Sequence, residues 1–222
     1  MRLILPSGTP AELALPDGPP SRGLVLVPDV MGLRPLFDDL CRRLAGEHGW
    51  AVCAVELFPG REHISLQERF EAMSTVMDED RLGDLTAAAD LLASRTAVDR
   101  VAVLGFCMGA MYSLKAAGTG RFDRAVAFYG MIRVPVDWRG PGQGEPLDWL
   151  ATPSETSVLA IVGGRDTFTP AEDVAALQAI GDRVEVVSYD EAEHGFAHDP
   201  ARPTHRRHDT ADAWKRVAAF LV

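Results

Sequence analysis

Lysine is nearly missing from this chain. Of 22 basic residues only Lys115 and Lys215 are lysines, and no run of arginines exceeds two. Set against 32 acidic residues, this leaves a formal charge of −10 at pH 7 and a pI near 5.0. A phosphate backbone calls for the opposite sign and a membrane surface for clustered cations, so neither nucleic acid nor membrane is expected as a partner. Long apolar runs are also missing. The longest stretch without charge, Val101 to Leu114, contains two glycines and falls well short of the ~20 apolar residues that span a bilayer. Met1 to Pro6 holds too short an apolar segment for a secretory signal, so the expected location is cytoplasmic. Cysteine is scarce. Cys41, Cys53 and Cys107 are odd in number and form no Cys-x-x-Cys pair, which excludes a disulfide framework or a zinc ribbon and predicts three free thiols.

The chain does have enough apolar material for a core: 222 residues, 47% hydrophobic and 24% charged. A domain of this size removes roughly 70% of its unfolded surface from water, so neither metal nor disulfide is needed to hold it. After a Pro/Gly-rich opening, read as a short hairpin or irregular edge, apolar runs alternate with helical patterns. Gly23 to Pro28, Trp50 to Leu57, Val101 to Gly105, Arg124 to Tyr129, Ser157 to Val162 and Arg183 to Tyr189 read as strands, the first three as fully covered ones. Helices are predicted over Leu36 to His48, Ser65 to Arg95 with a break near Asp80 to Gly83, Met108 to Ala117, Pro170 to Ile180 and His205 to Leu221. Arg133 to Thr156, rich in Pro, Gly and Trp, reads as an ordered surface excursion. Strands alternating with helices predict an α/β fold: a doubly wound, mostly parallel sheet with helices on both faces.

The most informative residues are Gly105-Phe106-Cys107-Met108-Gly109, where a buried strand turns directly into a helix. Gly-x-Cys-x-Gly suits a sharp turn whose central residue is strained and whose glycines allow the strand and helix to cross closely. The turn presents the Cys107 sulfur at the carboxyl end of the sheet, where the helix N-terminus favours thiolate over thiol. A buried structural cysteine beside packing glycines would leave the same trace. A phosphate-binding turn fits less well, because no glycine-rich turn follows the first strand and no Gly-x-x-x-x-Gly-Lys-Ser/Thr is present.

Two later segments favour chemistry. Gly163-Gly164-Arg165-Asp166 follows one strand, and Glu193-His194-Gly195-Phe196 follows the next. Taken singly, Asp166 is a turn residue and His194 a loop histidine. In chain order, each beyond its own strand, Cys107, Asp166 and His194 form the nucleophile–acid–base series of a catalytic triad. His194 would take the thiol proton, and Asp166 would fix the imidazole tautomer.

Together with Phe128-Tyr129-Gly130 and His194-Gly195-Phe196, these motifs resemble the dienelactone hydrolase family from about Gly23 to the C-terminal helix. The resemblance implies an α/β-hydrolase fold without a large cap domain, residues 1–222 forming a single domain. It also implies a cysteine-dependent hydrolase of small esters or lactones that needs no cofactor and no metal, as a monomer or homodimer. An oxyanion hole from the backbone N–H groups of Met108 and Val30 follows from it as well. In the family an acidic residue after the first long strand pairs with the thiol or with an arginine. Asp29 stands there in place of the usual glutamate, one methylene shorter, and reads equally as a strand-end cap. Arg61 matches the first of two arginines that hold a substrate carboxylate, and the second falls at His198, which cannot clamp a carboxylate bidentately. Asp29, Arg61, Tyr129 and His198 are therefore the candidates for substrate binding or activation. A different ester or a thioester as substrate, and a non-catalytic thiol-based binder or redox sensor, remain as alternatives.

Other features read as structural. Four histidines between His194 and His208 are separated by Pro200 and Pro203, which break any helix that would group them as ligands. Cys41 and Cys53 are expected in the core, Trp138 and Trp149 as loop anchors rather than a pocket wall, and Glu68, Glu71, Asp78, Glu79 and Asp80 on a solvated helix face.

Overall fold

In the computed structural model, which describes residues 1–222, the apolar runs become adjacent strands of one sheet. The strands are β1 (Arg2–Ile4), β2 (Pro10–Ala14), β3 (Arg22–Val27), β4 (Trp50–Val55), β5 (Val101–Phe106), β6 (Arg124–Phe128), β7 (Ser157–Gly163) and β8 (Val184–Tyr189). Their spatial order is β1-β2-β4-β3-β5-β6-β7-β8. β1 and β2 form the expected hairpin, and β2 also pairs antiparallel with β4; every other pairing is parallel. Every residue of β3, β4 and β5 is buried, as continuous apolar runs require when both faces are covered.

Seven helices supply the covers: α1 (Pro35–His48), α2 (Leu66–Ala72), α3 (Asp78–Thr96), α4 (Met108–Ala116), α5 (Pro146–Ala151), α6 (Ala171–Gln178) and α7 (Arg207–Phe220). Alternation along β3 divides the core. Val25 and Val27 pack into a cluster with α3, α4 and α6, whereas Leu24 and Leu26 pack into another with α1 and α7. Helix signals sit where capping chemistry puts them: Pro35 opens α1, Gly49 closes it at φ 66°, and Ser65 with Glu68 forms a capping box on α2.

Three expectations need correction. The break in the long helical segment lies at Met73–Met77, not at Asp80 to Gly83; Gly83 sits on the exposed side of α3, where its lack of a side chain costs no packing. Asp78 is not on a solvated face. It is 4% exposed, accepts a 2.7 Å hydrogen bond from Lys115 Nζ, and accepts another of 2.8 Å from the Gly144 N–H. This pair ties the Arg133 to Thr156 excursion to α3 and α4. Trp138, finally, is a cavity wall rather than only an anchor. Cys41 and Cys53 are buried as expected, and burial pushes the Cys53 thiol up to about 12. No helix is long and apolar enough to cross a membrane.

Candidate active site

Parallel strands bring their carboxyl ends to one rim, and the residues just past β3, β5, β6, β7 and β8 meet there. Cys107 is the turn between β5 and α4, with φ 55° and ψ −119°, a conformation that L-residues rarely adopt. Close packing holds the strain in place. A Cβ at Gly105 would lie 2.2 Å from the Gly109 carbonyl oxygen, and one at Gly109 would lie 2.1 Å from that of Pro28. Only glycine allows α4 to approach β3 and β5 this closely. The Cys107 N–H donates to the Phe128 carbonyl at 3.0 Å, and the sulfur faces a cavity of about 390 Å³.

Asp166 is buried beyond β7. One carboxylate oxygen accepts the Phe168 N–H at 2.8 Å, and the other lies 2.8 Å from His194 Nδ1. The imidazole is flanked by Tyr129, at 5.2 Å between ring centroids, and by Phe168, at 4.8 Å. Burial pushes His194 down, but hydrogen bonding to Asp166 and to the Cys107 sulfur, together with their charges, outweighs it and brings the pKa up to about 9. Cys107 and His194 both line the cavity. The N–H groups of Val30, which lines the cavity, and of Met108, next to Cys107, have no hydrogen-bond partner within the protein. The Val30 carbonyl accepts from Arg69 Nη1 at 3.3 Å, which fixes the orientation of the turn.

A model of the dienelactone hydrolase family matches residues 9–222. The chain belongs to that family. As a dienelactone hydrolase family member it is a hydrolase of ester or lactone bonds. It is 31% identical over 221 residues to a Methylorubrum extorquens protein named "Putative carboxymethylenebutenolidase", covering 94% of this chain and 74% of that one. An Escherichia coli protein of the same name is 31% identical over 210 residues, covering 89% and 75%. Among solved structures, a "Putative Dienelactone Hydrolase" from Klebsiella pneumoniae superposes with a TM-score of 0.86 at 28% identity, covering 99% of this chain and 96% of that one. The fold of this family member is thus the α/β-hydrolase fold, with no cap domain.

The remaining residues singled out from the sequence divide. Tyr129 and His198 are buried and do not line the Cys107 cavity. The Tyr129 hydroxyl hydrogen-bonds His198 Nδ1, and His198 Nε2 lies 2.8 Å from Asp29 Oδ2. Because the carboxylate can only accept, His198 donates from Nε2 and accepts the tyrosine proton at Nδ1. Burial lowers the His198 pKa further than Asp29 raises it, consistent with that neutral tautomer. Asp29 lines the cavity but is already engaged. Arg34 grips it through both nitrogens at 2.6 and 2.9 Å, and the Met31 N–H donates to it at 3.0 Å. Burial pushes its carboxyl up, but hydrogen bonds from His198 and Arg34 win and hold it far below the usual range. Arg61 is a correction: it is exposed, rests over the Phe58 ring and lies outside the cavity. The turn after β4 directs it into solvent.

Sequence reasoning missed three arginines. Arg34 and Arg202 line the cavity, and Arg202 makes no ion pair. Arg69 is 2% exposed, lies 3.6 Å from Glu56 and holds the loops around the site through backbone carbonyls. No periodicity marks these residues. The only trace of Arg202 was its place four residues beyond His198.

Proposed function

We propose that this dienelactone hydrolase family member is a cysteine-dependent, cofactor-independent hydrolase in which Cys107, His194 and Asp166 act as a triad on a small ester or lactone. The observation that carries this reading is the 2.8 Å Asp166–His194 hydrogen bond beside a cysteine held at φ 55° on the same cavity. An imidazole that keeps its proton up to about pH 9 beside sulfur favours transfer of the thiol proton to nitrogen. The sulfur then attacks the carbonyl carbon, and the C=O π pair moves onto oxygen. The unpartnered N–H groups of Val30 and Met108 suit that developing charge. As the tetrahedral species collapses, the C–O bond breaks and His194 returns its proton to the leaving alkoxide. Water, deprotonated by His194, attacks the thioester; the C–S bond breaks, and the acid leaves with the thiol restored.

In this reading Asp166 orients the ring and stabilises the imidazolium, while Asp29, His198 and Tyr129 position the loop that carries Val30. Arg202, rather than Arg61 or His198, is the cation for a substrate carboxylate, since it lines the cavity with no ion-pair partner. The M. extorquens and E. coli names support a carboxylate-bearing lactone. Against a redox sensor stands the Asp166–His194 pair, for which a sensing thiol has no use. The test is turnover of dienelactone and short-chain aryl esters by the wild type and by Cys107→Ala. A loss of at least about 10³-fold in kcat is expected for nucleophile removal; equal activities would end the proposal.

A further inference from the structure

The Cys107 cavity has both a charged and an apolar lining. Its charged residues, Asp29, Arg34, Asp199 and Arg202, belong to loops beside β3 and β8. Leu66, Phe70, Met131, Trp138, Phe168 and Met31 supply the apolar part of the wall. Four of these six are among the chain's few exposed large apolar side chains: Leu66 at 42%, Phe70 at 41%, Phe168 at 46% and Met31 at 37%. Three others, Met1, Ile4 and Val222, lie at the chain ends. Single exposed apolar residues need no explanation, but several facing one cavity do.

The wall is also held in place. Leu66 and Phe70 lie one turn apart on α2, and Phe70 packs at 6.0 Å from Trp138. Arg69, on the same helix, anchors it through the carbonyls of Glu62 at 2.5 Å, Val30 at 3.3 Å and Ile64 at 3.4 Å. Gln143 ties the loop that carries Trp138 to the carbonyls of Met73 and Val76. These anchors hold apolar side chains at the mouth of the cavity that could otherwise turn inward.

We infer that this wall binds a hydrocarbon part of the substrate, so that the preferred substrates are esters with an alkyl or aryl group of several carbons on one side of the scissile bond. This rests on the ester-hydrolase reading above and narrows it. Burying a methylene is worth roughly fourfold in affinity when complete, so a groove open on one side should give about twofold per carbon.

The test uses two ester series, ethyl acetate to ethyl hexanoate and ethyl acetate to hexyl acetate. Hydrolysis is followed with the wild type, and binding by calorimetry with Cys107→Ala, in which the ester stays intact. Over the four added carbons at least one series should gain about 16-fold in kcat/KM and in affinity. In Leu66→Ala/Phe70→Ala, whose side chains are exposed enough for folding to tolerate the change, the gain should shrink below about fourfold. Flat dependence in both series overturns the inference, as does a gain that the double variant leaves intact. If wild type hydrolyses neither series yet Cys107→Ala still binds the longer esters more tightly, the apolar wall stands as a hydrocarbon-binding site, while the claim that such esters are its substrates, and the cysteine-hydrolase reading with it, falls.

Discussion

Asp166→Asn removes one negative charge from the floor of the site with little change in shape, and it tests how the base is tuned. His194 moves from an ordinary 6.5 up to about 9 in this environment, a preference for the protonated form of about 3 kcal/mol. Burial works against that preference, and the hydrogen bond that His194 donates to Asp166 is the strongest influence in its favour. Without it, only the sulfur is left to oppose burial, so the His194 pKa should fall. Three observables should move together. The imidazole titration, followed by NMR, should shift toward acid by about two pH units. The falling alkaline limb of kcat/KM should move from about pH 9 into the neutral range. Turnover at pH 8 should drop by about 10²- to 10⁴-fold, because asparagine also permits the wrong tautomer. Stability carries the same signature. A raised histidine pKa contributes stability that is complete below pH 6.5 and is lost as pH climbs through 9, so the wild type should lose up to about 3 kcal/mol across that window and Asp166→Asn far less. A His194 that still titrates near 9 in Asp166→Asn would refute this account of its tuning.

Other outcomes follow from the same geometry. Gly109→Ala drives a Cβ to 2.1 Å from the Pro28 carbonyl oxygen and 2.3 Å from that of Val27, so it should destabilise by more than about 3 kcal/mol or prevent folding, as judged by urea unfolding. Lys115→Met strands Asp78 in the core and should cost about 3 kcal/mol, with Lys115→Met/Asp78→Asn recovering at least half; an equal loss in both would show that the pair's charge is irrelevant. His198→Ala leaves the buried Tyr129 hydroxyl without its partner and removes one of two hydrogen bonds on an Asp29 oxygen that Arg34 still holds, and should cost about 2–4 kcal/mol in thermal unfolding. Arg202→Gln should reduce the preference for carboxylate-bearing over neutral esters by at least about tenfold, and an unchanged ratio would remove Arg202 from substrate recognition.

The placement of the candidate site was legible in the sequence wherever a residue's position follows from the end of a strand. Gly105 to Gly109, Asp166 and His194 each come just after an apolar run, and a parallel sheet brings such positions together whatever the loops do. Buried charge was not legible. Asp78 sits in an acidic run that reads as solvated, and only its long-range pairing with Lys115 draws it inward. One clue existed: Lys115 is the single charge in α4, a helix buried on every side. Arg69 and Glu56 gave no such clue, because a guanidinium that serves backbone carbonyls leaves no spacing pattern. The break after α2 was misplaced because glycine and charge were weighed as helix breakers, although an exposed helix face tolerates both. Arg61 was assigned from motif position, and the turn at Gly60, with φ 76°, sends it outward.

Arg69 has one further consequence. The same guanidinium seats α2, which carries Leu66 and Phe70, and holds the peptide of Val30. In the proposed mechanism, substrate fit and transition-state stabilisation would therefore share a mechanical joint. Remodelling α2 to admit bulkier compounds would tilt the donor loop as well, so selectivity and speed should trade against each other unless that arginine and its seat survive the redesign. Trp138 and Phe168 stand on other segments and do not touch Arg69, but Trp138 packs against Phe70 and Phe168 flanks the His194 ring, so changes there should be read for effects on α2 and on the imidazole as well.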